Sequence, residues 1–241
     1  MFTATDAEWH DGRRRHRCTR SMSTAELHAT TGVLASVPAA VSRWSERNAA
    51  IEPLDIHVVD GPLDRLSEAG SGRFWPAPRD VGEEIRRHAR RGEYDSVFVV
   101  WPTDGTLPLC GWGCSIGRSN DARGAGYSAI ISDHWAGYAT RDYPEEGFVH
   151  EWLHQVESAF RELGVGEDRL PGLHDVEGRT SARGSDVAPF GRAYVEHHAG
   201  TDTWQPWYRD LMTGAVAPRD GERAPLGLTP ELWDRWRAVA G

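Results

Sequence analysis

Runs of apolar residues, separated by stretches rich in glycine and proline, divide the chain into short elements. The run Ser96–Trp101 is apolar at successive positions, which predicts a strand that is buried on both faces. Residues 54–59 and 127–132 are predicted to be two further strands. The glycine-rich segment 102–126 is too long for a tight turn, and we interpret it as a loop that forms a groove wall or lid.

Capping signals predict the helices that flank these strands: capping boxes at Ser23 with Glu26 and at Asp80 with Glu83, and Thr229 before Pro230. The predicted helices cover residues 24–36, 80–91, 144–163 and 230–239, with a helical turn at 42–48. The order of elements, helix, strand, helix, strand, strand, helix and then loops, predicts an α+β fold with an irregular C-terminal part. Residues 1–22 are polar and rich in arginine and show no apolar periodicity, so they are predicted to be a disordered tail. Residues 23–241 are then expected to form a single domain.

Composition excludes several classes of function. The net charge of −9 disfavours nucleic acid as a partner. All 27 basic residues are arginine, which excludes chemistry that depends on lysine. No stretch approaches the roughly 20 apolar residues of a membrane span. A cytoplasmic location is the default expectation, with export as the alternative because Arg13–Arg15 and the apolar run 33–41 faintly resemble a signal peptide. The oligomeric state is left open.

The three cysteines, Cys18, Cys110 and Cys114, are too few for a disulfide framework. Cys110 and Cys114 are interpreted as a reduced structural pair, with a disulfide or a metal role as alternatives.

The strongest chemical signal is His150-Glu151-Trp152-Leu153-His154, within the predicted helix 144–163. Histidines four residues apart share one helix face and can bind one zinc ion. Glu151 lies about 100° round the helix, so it does not join them as a ligand but can take a proton from a water that the metal activates. A random chain of this composition would contain roughly 0.04 copies of this pattern.

A bland alternative is a partly buried helix with two unrelated histidines and a solvated glutamate. The neighbouring residues weaken that alternative, because Phe148, Trp152 and Ala159 are expected to pack in the core. The histidine face is then left to meet something polar.

The motif resembles that of the zincins, a superfamily of zinc metallopeptidases. The resemblance implies a small mixed sheet packed on the active-site helix, with an edge strand that binds extended substrate through its backbone. Residues 127–132 are expected to be that edge strand. The metzincin branch is disfavoured because Glu157 and Phe160 replace its glycine and its third ligand, and the pattern is closer to that of the gluzincins.

The third zinc ligand is expected to be His174, which follows His154 at a spacing similar to that of the thermolysin-like glutamate. Glu157 is a weaker candidate because support of a histidine from one helical turn away is its more natural role. The remaining candidates for this ligand are Asp175, Glu177, His197 and His198.

A donor for the developing oxyanion is also needed. Tyr194 and His198 are the favoured candidates and would share a face if their segment is helical. His197 and Tyr208 are alternatives. Met212 is interpreted as a core residue rather than part of a metzincin methionine turn.

These observations predict a zinc metallopeptidase-like hydrolase, with Zn²⁺ held by His150, His154 and His174, and a peptide or small amide-containing molecule as substrate. Two alternatives stay open. One is a metal-dependent hydrolase or lyase of a small metabolite. The second is a non-catalytic binding module in which the metal is structural.

Overall fold

A computed structural model of the chain describes residues 1–10, 12, 14–52, 54–70, 72–108, 113–132, 144–165, 205–215 and 228–240. The chain divides into two compact units. The first unit combines Met1–Pro38 with Glu52–Gln155, and the second combines Ala39–Ile51 with Val156–Gly241. The single domain expected over 23–241 stays a prediction, since compact units of one chain can belong to one domain.

The chain is α+β, as predicted. The strands are β1 (Ala4–His10), β2 (Arg15–Ser21), β3 (Ser67–Gly70), β4 (Arg73–Trp75), β5 (Ser96–Trp101), β6 (Gly113–Arg118) and β7 (Gly126–Ile131). The helices among the described residues are α1 (Thr24–Trp44), α2 (Gly82–His88), α3 (Glu146–Glu162), α4 (Gln205–Thr213) and α5 (Pro230–Ala240). None of these helices is long and apolar enough to cross a membrane.

A three-stranded sheet in the order β5-β7-β6 organises the first unit. The central strand β7 is parallel to β5 and antiparallel to β6. The prediction that residues 127–132 form an edge strand was wrong, because β7 has a partner on both sides. The prediction of a continuous loop over 102–126 was also wrong, since β6 lies within it. The alternation of β6 is weak because glycine and serine occupy several of its positions.

The two faces of this sheet meet different neighbours because side chains alternate along each strand. On one face, Val99 and Tyr127 belong to a buried apolar cluster that also includes residues of β1, β2 and α2. On the other face, the ring of Phe98 stacks on that of Phe148 in α3, with centroids 3.9 Å apart. The first part of α3 therefore packs directly against the sheet.

The N-terminal residues form a hairpin, so the prediction of a disordered tail was wrong. Strands β1 and β2 pair antiparallel along their whole length. Ala7 and Cys18 lie opposite each other with no exposed surface. The outward face carries ion pairs such as that of Arg17 with Asp6 at 2.6 Å. The buried side chains are few and partly small, and charged residues alternate with them, which hid the strand pattern in the sequence.

Helix α1 begins with the predicted capping box. The backbone N–H of Ser23 donates to Glu26 Oε2 at 2.6 Å, and that of Glu26 donates to Ser23 Oγ at 3.2 Å. The helix continues through Pro38 to Trp44, beyond the predicted end near residue 36.

Two other local predictions failed. The Asp80 carboxylate accepts bonds from the Ala77 N–H at 2.8 Å and the Ser67 hydroxyl at 3.0 Å, so it does not cap the shorter helix α2. Residues 54–59 form no strand, and only Val59 makes an isolated bridge, to Phe2. The apolar side chains of this segment predicted burial, but Val58 is 48% exposed.

The second unit is helical over its described residues. Helix α4, which lies in the part of the chain predicted to be irregular, buries Tyr208, Leu211 and Met212 completely. The start of α5 is as predicted, with the Leu232 N–H donating to the capping hydroxyl of Thr229 at 3.2 Å. Met212 is thus confirmed as a core residue.

Candidate metal centre

His150 and His154 lie on α3, the helix that the sequence predicted over 144–163. Phe148 and Val149 both donate their backbone N–H to the carbonyl of Glu145, which starts the helix one turn before His150. His150 is buried and His154 is half-buried. The two imidazole rings are adjacent, with centroids 4.8 Å apart and planes at 87°.

This ring arrangement fits a shared metal ion. Zinc binds imidazole nitrogen at about 2.0–2.1 Å with tetrahedral angles, which places two ligand rings about 5 Å apart between centroids. The described residues contain no group of three histidine, cysteine, aspartate or glutamate side chains that could hold a metal. Glu157 is among these residues, so the structure gives no support to it as the third ligand.

Glu151 is almost completely buried, at 4% exposure. Its Oε2 accepts a hydrogen bond from the hydroxyl of Ser115, in strand β6, at 2.6 Å. The solvated glutamate of the bland alternative is therefore not what the fold contains, because the sheet holds this carboxylate in a fixed place.

A chain of hydrogen bonds links Glu151 to every strand of the sheet. Ser115 Oγ lies 2.7 Å from Ser128 Oγ on β7. Ser128 accepts a bond from the Gln155 amide at 2.7 Å, and the Gln155 carbonyl accepts one from Ser96 on β5 at 2.6 Å. We call these five residues the serine relay. It fixes the face of α3 that carries Glu151 and Gln155 against the sheet.

Two glycines make this close approach feasible. A Cβ on Gly113 would lie 2.5 Å from the carbonyl oxygen of Ala129 and 3.2 Å from Glu151 Oε1. A Cβ on Gly126 would lie 2.4 Å from Gln155 Oε1. Because real Cβ atoms do not come this close to other atoms, both positions require glycine unless the surrounding atoms move.

Other carboxylates lie buried on the same helix or at its start. Glu145, Glu146 and Glu157 are exposed by 9% or less. Glu145 Oε2 has no hydrogen-bond partner among the described residues. Burying a carboxylate without a donor is costly, so a cation beside Glu145 would lower that cost.

Tyr127 has a structural role. Its hydroxyl donates to the Pro76 carbonyl at 2.6 Å, and burial raises the pKa of this phenol well above its usual value. Tyr208, an alternative oxyanion donor, is fully buried in α4 with its ring 5.7 Å from that of Trp44. Neither tyrosine therefore offers a hydroxyl to a substrate.

Several predicted site residues lie outside the described residues. These are His174, Asp175, Glu177, Tyr194, His197 and His198. Their proposed roles as third ligand and oxyanion donor stay predictions.

The cysteines depart from expectation. Cys18 is a buried thiol, and Cys114 is disulfide-bonded, so the interpretation of a reduced Cys114 was wrong. Cys110 lies outside the described residues. Spacing along a sequence does not report the side-chain geometry on which a disulfide depends.

Sequence reasoning missed Ser96, Ser115 and Ser128, and it missed Gln155. One signal was present, since Gln155 follows Glu151 by four residues and so shares its helix face. The serines could not be assigned without the register of the sheet.

Comparison with known proteins identifies no relative. No protein-family model matches the sequence, and no curated protein or solved structure matches it. The resemblance to the zincins therefore depends on residues 150–154 and on the elements around them.

Proposed function

We propose that this chain is a zinc-dependent hydrolase of the metallopeptidase type, which cleaves a peptide or related amide bond. One observation carries the proposal: the helix that carries two adjacent imidazoles also carries a buried, hydrogen-bonded Glu151, directly after His150 in the sequence. His150 and His154 would hold the metal. The third ligand would come from outside the described residues, where His174 is the first candidate and Asp175, Glu177, His197 and His198 follow it.

The chemistry divides between metal and protein. When bound, zinc supplies a Lewis acid that polarises a carbonyl and makes water acidic enough to act near neutral pH. Glu151 accepts a proton from the attacking water and then donates it to the leaving amine. Tyr194 and His198 stay the proposed donors to the oxyanion.

Strand β6 offers a place for an extended substrate. Among the described strands it pairs only with β7, so its other edge has no strand partner there. A peptide can add to such an edge by backbone hydrogen bonds. Gly113, at the start of β6, is next to the Glu151 carboxylate, so a peptide bound along this edge would have its backbone close to the proposed base.

The structural-zinc alternative is less well supported. A structural site binds its metal through a complete set of protein ligands and needs no base. The fold uses three strands to orient Glu151, which we assign as the base rather than as a ligand. The alternative of a small-metabolite substrate differs only in the shape of the site, and substrate screening decides it.

The test combines metal content with turnover. Wild type, His154→Ala, His174→Ala and Glu151→Gln are purified without chelator, their zinc is measured by mass spectrometry, and a quenched fluorescent peptide library is screened. We expect about one zinc per wild-type chain, loss of zinc in both histidine variants, and zinc without turnover in Glu151→Gln.

Each different result has a definite meaning. Zinc retained in His174→Ala moves the third ligand to one of the four remaining candidates. Zinc held by four protein ligands in X-ray absorption, without turnover, supports the structural alternative. No zinc in any sample after zinc is added refutes the proposal.

A further inference from the structure

The serine relay has a direction that follows from counting protons. The Ser115 hydroxyl donates to Glu151 Oε2, and a hydroxyl has only one proton to give. At the 2.7 Å contact between the two serine hydroxyls the proton then comes from Ser128, whose hydroxyl also lies 3.3 Å from the backbone carbonyl oxygen of Glu151. This requires Ser128 to accept from the Gln155 amide, whose carbonyl accepts the proton of Ser96. Every donor in the relay therefore points towards Glu151.

This direction distinguishes the two oxygens of the carboxylate. Oε2 is engaged by Ser115, whereas no hydrogen bond from the described residues reaches Oε1. Oε1 lies towards Gly113, where a Cβ would be 3.2 Å from it, so the glycine allows the carboxylate to lie against β6. A carboxylate without the Ser115 bond could rotate about its last torsion, and its two oxygens would then be equivalent.

The geometry points to Ser115 as a positioning residue for Glu151, a role that rests on the proposed hydrolase function. By fixing Oε2, the Ser115 hydroxyl assigns Oε1 as the oxygen that takes the proton from the attacking water. Ser128 holds the Ser115 hydroxyl in turn, and Gln155 and Ser96 complete the support. Orientation of this kind contributes to rate because the reacting atoms must already lie within contact distance and in line.

The experiment compares two serines that make the same kind of bond. Ser115→Ala removes a hydroxyl that donates to the proposed base. Ser67→Ala removes a buried strand hydroxyl that donates to the Asp80 carboxylate at 3.0 Å, in the same unit but outside the serine relay. Ser115→Thr keeps the hydroxyl. The variants and wild type are compared for kcat and KM on the best-cleaved library peptide, for zinc content and for Tm.

We expect Ser115→Ala to lower kcat by about 10- to 100-fold, the usual effect of losing an outer-shell partner, with KM and zinc content within about twofold of wild type. Ser115→Thr should recover most of that loss. Ser67→Ala should lower Tm by a similar amount to Ser115→Ala and leave kcat unchanged.

Two results would overturn the inference alone. In the first result, the wild type cleaves the peptide and Glu151→Gln does not, but Ser115→Ala keeps more than half of the wild-type kcat. The second is a loss of kcat in Ser67→Ala equal to that in Ser115→Ala, which would reduce the role of Ser115 to stability. A zinc-loaded wild type that cleaves no peptide overturns the proposed function, and the inference falls with it.

Discussion

Gly126, the first residue of β7, lies so close to Gln155 that a single methyl group there must disturb the packing of α3 on the sheet. A Cβ at this position would be 2.4 Å from Gln155 Oε1, 3.0 Å from Cδ and 3.2 Å from Cβ. Gln155 is 2% exposed, and its amide is hydrogen-bonded to Ser96 and Ser128. The side chain therefore cannot move aside without breaking both bonds.

The cost of Gly126→Ala can be worked from these contacts. Two lost hydrogen bonds remove about 2 kcal/mol, at about 1 kcal/mol net each. Residual overpacking adds about 1 kcal/mol. Alanine offsets about 0.5 kcal/mol of this loss in stability, because it restricts the unfolded chain more than glycine does. We therefore expect the free energy of unfolding to fall by about 2.5 kcal/mol.

Urea denaturation measures this change, and a double-mutant cycle assigns it. Gln155→Ala removes Oε1 and Cδ, the two atoms closest to a Cβ at position 126, and leaves only the Cβ of residue 155 at 3.2 Å. In this background Gly126→Ala should therefore lower the free energy of unfolding by less than about 1 kcal/mol. Gly32→Ala is the control, because Gly32 lies on an exposed turn of α1 and a Cβ there would meet nothing within 4 Å. This substitution should raise the free energy of unfolding by up to about 1 kcal/mol. An equal cost of Gly126→Ala in both backgrounds would refute the reasoning.

Four further predictions concern the two residues of a helix cap, a tyrosine and the site. Ser23→Ala should cost about 1 kcal/mol in urea denaturation, because it removes half of the capping box. The backbone N–H of Ser23, and after it the Ser23 hydroxyl, lower the pKa of the Glu26 carboxyl in the folded protein. The ionised Glu26 therefore contributes its full stabilisation above the ordinary pKa of 4.5. That stabilisation is lost as the pH falls through the lower pKa of the folded state. Glu26→Gln should therefore be less stable than wild type at neutral pH and equally stable well below pH 4.5; a gap that persists in acid would contradict this. The hydrogen bond to Asp55 raises the pKa of Tyr94 to about 12, so Asp55→Asn should return it towards 10 in a tyrosinate absorbance titration with Tyr94→Phe as reference. Gly113→Ala should destabilise by about 1–3 kcal/mol and lower turnover per folded molecule at least about tenfold, and a folded, fully active variant would contradict the placement of the carboxylate.

The elements that the sequence predicted well are those whose pattern is long or apolar throughout. Strand β5 has the predicted bounds, because a six-residue run of mostly apolar side chains suits a strand with both faces covered. Helix α3 was found within two residues at each end, since its apolar positions recur at helical spacing. The cap of α5 was found because a threonine before a proline is a strong local signal.

The missed elements depend on contacts between distant segments. The hairpin buries small side chains such as Ala7 between charged ones, so its apolar alternation is faint. Strand β6 begins with Gly113, because a Cβ there would clash with the Ala129 carbonyl and the Glu151 carboxylate. Glycine is depleted in strands, so it gives no strand signal in the sequence. The sequence located the histidines and the glutamate of the site, whose spacing is local. It did not locate Ser115, whose role exists only because the sheet register brings β6 beside α3.

The same dependence on register bears on the choice between a catalytic and a structural role for the proposed site. Polar side chains buried between a helix and a sheet add little stability, and well-packed apolar residues of similar size often do as well or better. A structural zinc would need its ligands fixed, whereas the serine relay holds Glu151, the proposed base. Departures from the simplest stable packing are expected at functional sites, where an oriented charge has a use that packing cannot supply. The position that the serine relay holds is that of the proposed base.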